Sequence, residues 1–465
     1  MCPHCSTSFC DTERGGDVGM TTTVALAEFA AGLTATSTPP EVTHQAKRAL
    51  LDWAGVTLAG SRTDAARIAY DAGLSAGGPG TSPVAGRREG RSPAFAALAN
   101  GIASHVLDYD DTFNPGLTTV HGSAPVWPAV LAAAHARGSS GAAALTAFVA
   151  GYETEVRVAL AAGPAHYDIG WHVTGTVGHL GAAAAVANVL GLDAATTVAA
   201  LGTAGTQAAG LKAVYGSMGK SLHPGKAAMD GLLSAYLAAG GFTSSTAIVE
   251  AHRGFLDILT TDAVAERATE GLGERWFLPR DGFKAYACGS LAHPAIDAVL
   301  RLRAEHGLDP ADVAAVEVEA HDYVVSTTGN KEPRTGLEGK FSVFHCVAVA
   351  VVDGAARLAQ FTDDRVTDPA VISVRDRITV LVDPERAKDS ALVRIRLTGG
   401  RTLTCETAHN KGTPENPMSD DDLTEKFGDL AGDVLGTEAA AALAGVIWRM
   451  DSVDDVRELT EALRA

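Results

Sequence analysis

From about residue 20 onward, apolar residues recur at the spacing of an α-helix. Leu26, Phe29, Ala30 and Leu33 stand at i, i+3, i+4 and i+7, so they share one helical face. The same pattern, bounded by Gly, Pro, Ser or Thr, predicts further Ala-rich helices. These are expected at residues 41–59, 94–108, 125–136, 141–162, 178–190, 194–211 and 225–239. Residues 20–276 are therefore predicted to form a large all-helical domain whose small residues permit close helix packing.

After about Trp276 the pattern changes from helical to mixed. Short segments alternate apolar and polar residues as strands do, and Gly399-Gly400 predicts a hairpin turn between the last two. The strands are expected at residues 313–319, 378–382, 391–397 and 402–407, with helices at 293–306 and 342–359. Helical periodicity returns from Ser419 to the C-terminus.

This order of elements predicts a mostly α protein. A large all-helical domain would be formed by both chain ends, residues 20–276 and 413–465. A smaller α+β lid domain, residues 277–412, would be inserted between them.

Residues 1–19 show no helical period and are expected to be an extension without regular structure. Cys2, Cys5 and Cys10 crowd this segment, and a Cys-x-x-Cys pair with a third Cys is one way to hold zinc or a redox centre. No second pair follows at zinc-finger spacing, so we favour no metal role.

Composition narrows the class of protein. The 465-residue chain is 46% hydrophobic and 20% charged, with a formal net charge of −18. Such a balance disfavours nucleic acid and anionic membranes as partners, but not a small anionic substrate that meets only a local pocket. The N-terminus has neither the basic start nor the apolar core of a secretory signal, so a cytoplasmic location is expected. An apolar stretch at residues 178–192 is broken by polar residues and is expected to be a buried core helix.

The two segments that resemble nucleotide-binding motifs each lack a required glycine. The segment from Gly216 to Ser221 resembles the end of a P-loop, but Val214 stands where a Gly is required. Gly78 and Gly80 begin a dinucleotide pattern, but Pro83 occupies its third Gly position. No His-Glu-x-x-His or comparable ligand spacing is present, so neither a cofactor nor a metal is expected.

Polar residues embedded in this small-residue sequence mark the candidate site. Asp108, Asp110 and Asp111 precede Thr112, and His121 follows a Gly/Pro loop. Three carboxylates within four residues repel one another and need cationic partners or shared protons. Helix capping is the alternative explanation for Asp-Asp-Thr.

Three later motifs add basic residues. His172 and His179 lie at the Gly-rich entry to a buried helix, where backbone N–H groups favour anions. Lys220 stands at another helix start, in a segment that also holds His223 and Lys226. His293 opens a helix just past residue 276. Together with the aspartates, these side chains are suited to proton transfer and carboxylate binding.

At these same motifs the chain resembles the MmgE/PrpD family. The matching blocks are AALANGIASHVLDYDDT, GWHVTGTVGHLGAAAAVANVLGL, MGKSLHPGKAAMDG, CGSLAHPAID and LEGKFSVFHCVAVAVVDG. The resemblance implies a helical domain made from both chain ends, an α+β lid and a homodimer. It also implies a catalytic set matched motif by motif: Asp108, Thr112, His121, His172, Lys220 and His293.

The family's activities include dehydration of 2-methylcitrate, decarboxylation of cis-aconitate and epimerisation of iminodisuccinate. Asp110 and the His121-Gly122-Ser123 segment place this chain closer to the decarboxylase and epimerase branch. The expected function is a cofactor-free acid–base lyase acting on a small di- or tricarboxylate. The alternatives are an epimerase of an iminodisuccinate-like dicarboxylate, or a helical dimer that only binds a metabolite.

Overall fold

The structure is a computed structural model that describes residues 21–465. The expected extension at residues 1–19, with Cys2, Cys5 and Cys10, lies outside the described residues. The N-terminal half is built from α1 (Thr22–Gly32), α2 (Pro40–Gly60), α3 (Asp64–Gly77), β1 (Pro79–Ser82), α4 (Pro93–His105), α5 (Ser123–Arg137), α6 (Gly141–Ile169), α7 (Val173–Leu190), α8 (Ala194–Gly205) and α9 (Gly219–Ala239).

The second half mixes helices with a sheet and ends in helices. Its elements are α10 (Phe255–Leu259), α11 (His293–His306), β2 (Val313–Ala320), α12 (Asp322–Thr328), α13 (Gly336–Gly339), α14 (Val343–Asp353), α15 (Asp363–Val366), α16 (Pro369–Arg375), β3 (Ile378–Val382), β4 (Ala391–Leu397), β5 (Thr402–Thr407), α17 (Asp420–Leu435), α18 (Thr437–Trp448) and α19 (Arg457–Ala462). The predicted fold class, mostly α with a smaller α+β part, is confirmed.

Small residues allow the central helices to pack closely. A Cβ atom on Gly101 of α4 would lie 2.6 Å from the Cα of Gly225 in α9, so the two glycines permit backbone contact there. Gly231 of α9 meets Ala182 and Ala183 of α7 in the same way. Helix α7 is consequently enclosed by its neighbours.

Buried apolar side chains form two main cores. The first takes its members from α1, α2 and α4 to α9, and also from the C-terminal helices, including Leu423, Phe427 and Ile447. The second lies between the sheet and helices α11 and α14, with Val316, Val347 and Ile395 among its members. Since the C-terminal helices share the first core, the sheet region is an insertion in the helical part.

The sheet is four-stranded, in the order β3-β2-β4-β5. Strand β2 pairs parallel with β3 and antiparallel with β4, and β4 pairs antiparallel with β5. Gly400, with φ +82°, makes the predicted hairpin turn before β5. The four strands expected from alternation are thus all present, within a residue of the predicted ends.

Several predicted helix ends are wrong for local reasons. Helix α4 ends at His105, so Asp108 lies in the loop after it, with φ +52°. The helix expected at residues 225–239 begins at Gly219, so Lys220 lies in its first turn. The helix expected to reach residue 359 ends at Asp353, where Gly354 adopts the left-handed conformation. Helix α3 was not predicted from the sequence.

Among the described residues, α7 is long and apolar enough to cross a membrane by length and composition, with a mean hydropathy of 1.3. However, 89% of that window is buried inside the protein. The helix therefore serves as the core helix expected from the sequence.

Candidate active site

A cavity of about 180 Å³ lies between the helical part and the inserted sheet region. Lid-side residues Ser290, Tyr323 and Phe341 close it opposite the helical bundle. Five of the six predicted site residues line it: Asp108, Thr112, His121, His172 and Lys220.

Asp108 is the anionic centre of the cavity. Its Oδ1 accepts from Lys220 Nζ at 2.6 Å and lies 3.1 Å from Lys284 Nζ, which also donates to the backbone carbonyl of Asp108 at 3.0 Å. Burial would raise the pKa of Asp108, but the two ammonium groups lower it well below its ordinary value. Asp108 is therefore an ionised carboxylate held by two lysines, and Lys284 is a site residue that the motif reading missed.

His172 stands at the N-cap of α7, where an extended backbone directs its ring into the cavity. Its Nδ1 lies 2.9 Å from Nδ1 of His223, and the ring of Tyr215 stands edge-on to it. Burial, followed by the positive fields of His105 and Lys220, lowers the pKa of His172 well below its ordinary value. The imidazole is therefore neutral in this structure at neutral pH.

His105, which was not predicted as a site residue, ends α4 beneath His121. Its Nδ1 lies 2.7 Å from Asp110 Oδ2, and the same oxygen lies 3.2 Å from Nδ1 of His121. Thr112 Oγ1 is also 3.2 Å from that His121 nitrogen. Burial lowers the pKa of His105 to about 4, against the attraction of Asp110. The available sequence signal was a His three residues before the acidic cluster and five before Asp110.

The third aspartate faces away from this cavity. Asp111 Oδ2 accepts from Ser123 Oγ at 2.6 Å, and Asp281 lies beside it in the buried interior. Burial raises the pKa of Asp111, and burial together with Asp111 raises the pKa of Asp281 well above its ordinary value. The pair thus favours a shared proton, one of the two solutions expected for the acidic cluster.

His293 lies apart from the other five predicted residues. It lines an adjoining cavity of about 370 Å³, where its Nε2 lies 3.3 Å from the carbonyl oxygen of Cys288. The two cavities share Thr112, Lys284 and Lys388 as wall residues. The structure therefore places His293 next to the site but not in the wall of the smaller cavity.

His179 and Lys226, from the other basic motifs, do not line the cavity. Both pair with Asp230. His223 reaches the site only through His172.

The arrangement combines two lysine ammonium groups with a cluster of histidines, of which His105 and His172 have lowered pKa values. Two lysines can neutralise carboxylates, and histidine nitrogens beside them can carry a proton to or from a bound molecule. Three of these histidines, His105, His121 and His172, each bring one ring nitrogen within 4.8 Å of the others, so they could also hold a metal ion. Sequence spacing did not indicate this group, because its members lie 16 and 51 positions apart on three elements.

Such a cavity, between a helical bundle and an α+β lid, has the buried charges and imidazoles of a candidate enzyme site. Residues 24–268 match the MmgE/PrpD N-terminal domain, and residues 286–452 match the MmgE/PrpD C-terminal domain. The chain belongs to the MmgE/PrpD family.

Its curated relatives agree along nearly the whole chain. The cis-aconitate decarboxylase of Aspergillus terreus (strain NIH 2624 / FGSC A1156) is 28% identical over 473 residues, covering 95% of each chain. Cis-aconitate decarboxylase-like protein oryM of Aspergillus oryzae is 29% identical, over 94% of this chain and 96% of its own. The human cis-aconitate decarboxylase is 26% identical, over 91% and 90%. At the level of the family, these relatives support an enzyme of lyase type.

Proposed function

We propose that this protein is a cofactor-free lyase that removes carbon dioxide from a small, unsaturated tricarboxylate of the aconitate type. The observation that carries the proposal is the pairing of Asp108 with Lys220 and Lys284 beside His121 and His172 in one cavity. The names of the relatives support the same chemistry.

In the proposed reaction, the substrate's carboxylates replace Asp108 as partners of the lysines. The C–C bond to one carboxyl group breaks, carbon dioxide leaves, and the electron pair stays on carbon, delocalised toward a remaining carboxylate. Lys220 and Lys284 stabilise that negative charge. A protonated imidazole, His121 or His172, then delivers its proton to the carbon.

Neutral histidines change how this acid is formed. We infer that His172, whose pKa is lowered by burial and by neighbouring cations, gains its proton only when a polyanionic substrate enters. Substrate charge would offset the field of Lys220 and raise the imidazole pKa. Protonation of this imidazole would therefore be coupled to substrate binding.

The test is a substrate screen followed by proton NMR in deuterium oxide. Citrate, 2-methylcitrate, cis-aconitate and iminodisuccinate are incubated separately with the protein. We expect cis-aconitate to be consumed, with one solvent deuterium incorporated at a carbon over which the electron pair of the broken C–C bond is delocalised. Loss of water from citrate or methylcitrate would indicate a dehydratase. Deuterium exchange in iminodisuccinate without a change in its carbon skeleton would indicate the epimerase alternative.

We also propose that the enzyme works as a homodimer in the cytoplasm. One face of α9 exposes apolar side chains at helical spacing, including Leu222, Leu233 and Leu237, which a second copy would cover. Leu237→Glu should convert dimer to monomer in size-exclusion chromatography with light scattering. Ile68→Glu, which changes an exposed apolar side chain on α3 in the same way, should not. A monomeric unmodified protein would contradict the proposal.

A further inference from the structure

We propose that His105, His121 and His172 form a transition-metal site, and that Zn²⁺ bound there inhibits the enzyme by occupying the histidine nitrogens used for catalysis. This inference rests on the proposed function only for the word "inhibits".

Three histidines from separate parts of the chain converge at one point. His105 ends α4, His121 lies just before α5, and His172 precedes α7, yet one ring nitrogen of each lies within 4.8 Å of the others. All three residues are buried, with at most 6% of their surface exposed. Tetrahedral zinc with bonds of about 2.0–2.1 Å needs its nitrogens about 3.3 Å apart. A contraction of roughly 1.5 Å or less, within reach of ring rotation, would complete the group.

Hydrogen bonds fix the orientation of the three imidazole rings. Every hydrogen bond that the described residues make to these three rings involves Nδ1. Asp110 holds Nδ1 of His105, the Asp111 carbonyl oxygen lies 2.9 Å from Nδ1 of His121, and His223 holds Nδ1 of His172. Nε2 of His105 is fully buried and has no partner among the described residues. Metal-binding histidines in proteins have their second nitrogen fixed by a carboxylate or carbonyl, as His105 and His121 do here, whereas at His172 a second imidazole takes that place.

The three imidazole ligands determine which metal ions the group can bind. Three imidazoles with no thiolate suit Zn²⁺, Co²⁺, Ni²⁺ or Cu²⁺ and exclude Mg²⁺ and Ca²⁺, which prefer oxygen. His121 and His172 line the cavity, so a fourth position opens toward the substrate space. Zinc there would engage the nitrogens that carry the proton and would compete with substrate.

Cobalt(II) provides a readout that does not depend on turnover. The full-length chain carrying Cys2→Ser, Cys5→Ser and Cys10→Ser is titrated with Co²⁺, so that thiolates at the N-terminus cannot account for binding. We expect one equivalent to bind with the intense visible absorption of tetrahedral cobalt. Addition of Zn²⁺ should displace it, and cis-aconitate should weaken its apparent affinity.

Two substitutions locate the site. Asp110→Asn removes the group that orients His105 and should weaken Co²⁺ binding about 10–100-fold, and His105→Gln should weaken it further. His252→Gln is the matched control, because that side chain is 80% exposed and pairs only with Asp257. Circular dichroism melts are used to check that each variant is folded.

The proposal is overturned if the triple-serine chain binds no stoichiometric Co²⁺, or if folded His105→Gln and His121→Gln chains both bind it normally. Zn²⁺ should inhibit turnover in competition with substrate, and EDTA should reverse that inhibition. Turnover that persists in EDTA while Co²⁺ fails to bind would reject the metal site and leave the lyase intact. Co²⁺ binding without any turnover would do the opposite.

Discussion

Replacing Lys220 by Met tests the centre of the proposed site. Lys220 Nζ lies 2.6 Å from Asp108 Oδ1, and 12% of its side chain is exposed, so the cation faces the cavity from the first turn of α9. Met keeps most of the apolar stem while removing the charge. In the unmodified enzyme, a substrate carboxylate would take the place of Asp108 at this ammonium group.

The structure sets separate magnitudes for catalysis and for folding. Loss of a hydrogen bond to a charged group costs about 1.5–3 kcal/mol, which corresponds to a decrease in kcat/KM of roughly ten- to hundredfold. Stability should fall far less than the roughly 3–5 kcal/mol typical when a buried charge loses its partner. The reason is that Asp108 keeps Lys284, which is buried and lies 3.1 Å away.

The assay is steady-state decarboxylation of cis-aconitate, with urea unfolding measured on the same preparations. Lys226→Met is the matched control, because Lys226 lies on the same helix, is 46% exposed and pairs with Asp230 outside the cavity. The control should leave kcat/KM unchanged. If Lys220→Met also leaves kcat and KM unchanged, Lys220 does not contact substrate and the site is misplaced. If it unfolds the protein instead, the Asp108 pair is structural.

Three further outcomes are expected. Because the pKa of His105 falls from 6.5 to about 4 on folding, the unfolded state binds the extra proton between those values, and this residue's contribution to stability falls as pH drops from about 6.5 to 4. The unmodified protein should therefore lose about 2 kcal/mol more unfolding free energy than His105→Gln when the pH is lowered from 7.5 to 5, as measured by urea unfolding. A difference in unfolding free energy between the two proteins that stays the same at both pH values would contradict the lowered pKa. His293→Gln should reduce kcat at least tenfold with little change in melting temperature, because a general acid–base group contributes about 10²–10⁴-fold to the rate. A large drop in melting temperature with normal turnover would show that His293 is a packing residue. EDTA should leave turnover unchanged, as should deletion of residues 1–19, and activity lost to EDTA but restored by metal would refute the cofactor-free mechanism.

The fold could be predicted from the sequence as far as periodicity determines it. Alternation in residues 391–397 and helical spacing in α1 report which side of an element is buried, and burial is what the cores require. Helix ends were less predictable. Nothing local in the sequence shows that α4 stops at His105, leaving Asp108 with φ +52°, because tertiary contacts with Lys220 and Lys284 hold that residue in place.

The candidate site could be predicted by residue type but not by partner. Asp108 and Lys220 were both expected in the site, but their ion pair joins positions 112 residues apart, which no local pattern reports. Lys284 lies four residues before the CGSLAHPAID block, in the motif that offered His293, and becomes significant only because the fold directs it at Asp108. His105 was read as part of a helix, and its role depends on the turn that brings Asp110 back to its ring.

The electrostatics of the cavity indicate why substrate binding and acid formation should be one event. Lys220 and Lys284 share the single negative charge of Asp108, and the pKa of the neighbouring His172 is lowered by burial first and by nearby cations second. A polycarboxylate that enters displaces Asp108 from at least one lysine and adds more than one negative charge to a buried space, where charges are weakly screened. Both changes favour an imidazolium over a neutral imidazole. The proton donor would therefore be generated where and when the carbanion needs it, without a metal or organic cofactor to stabilise the charge.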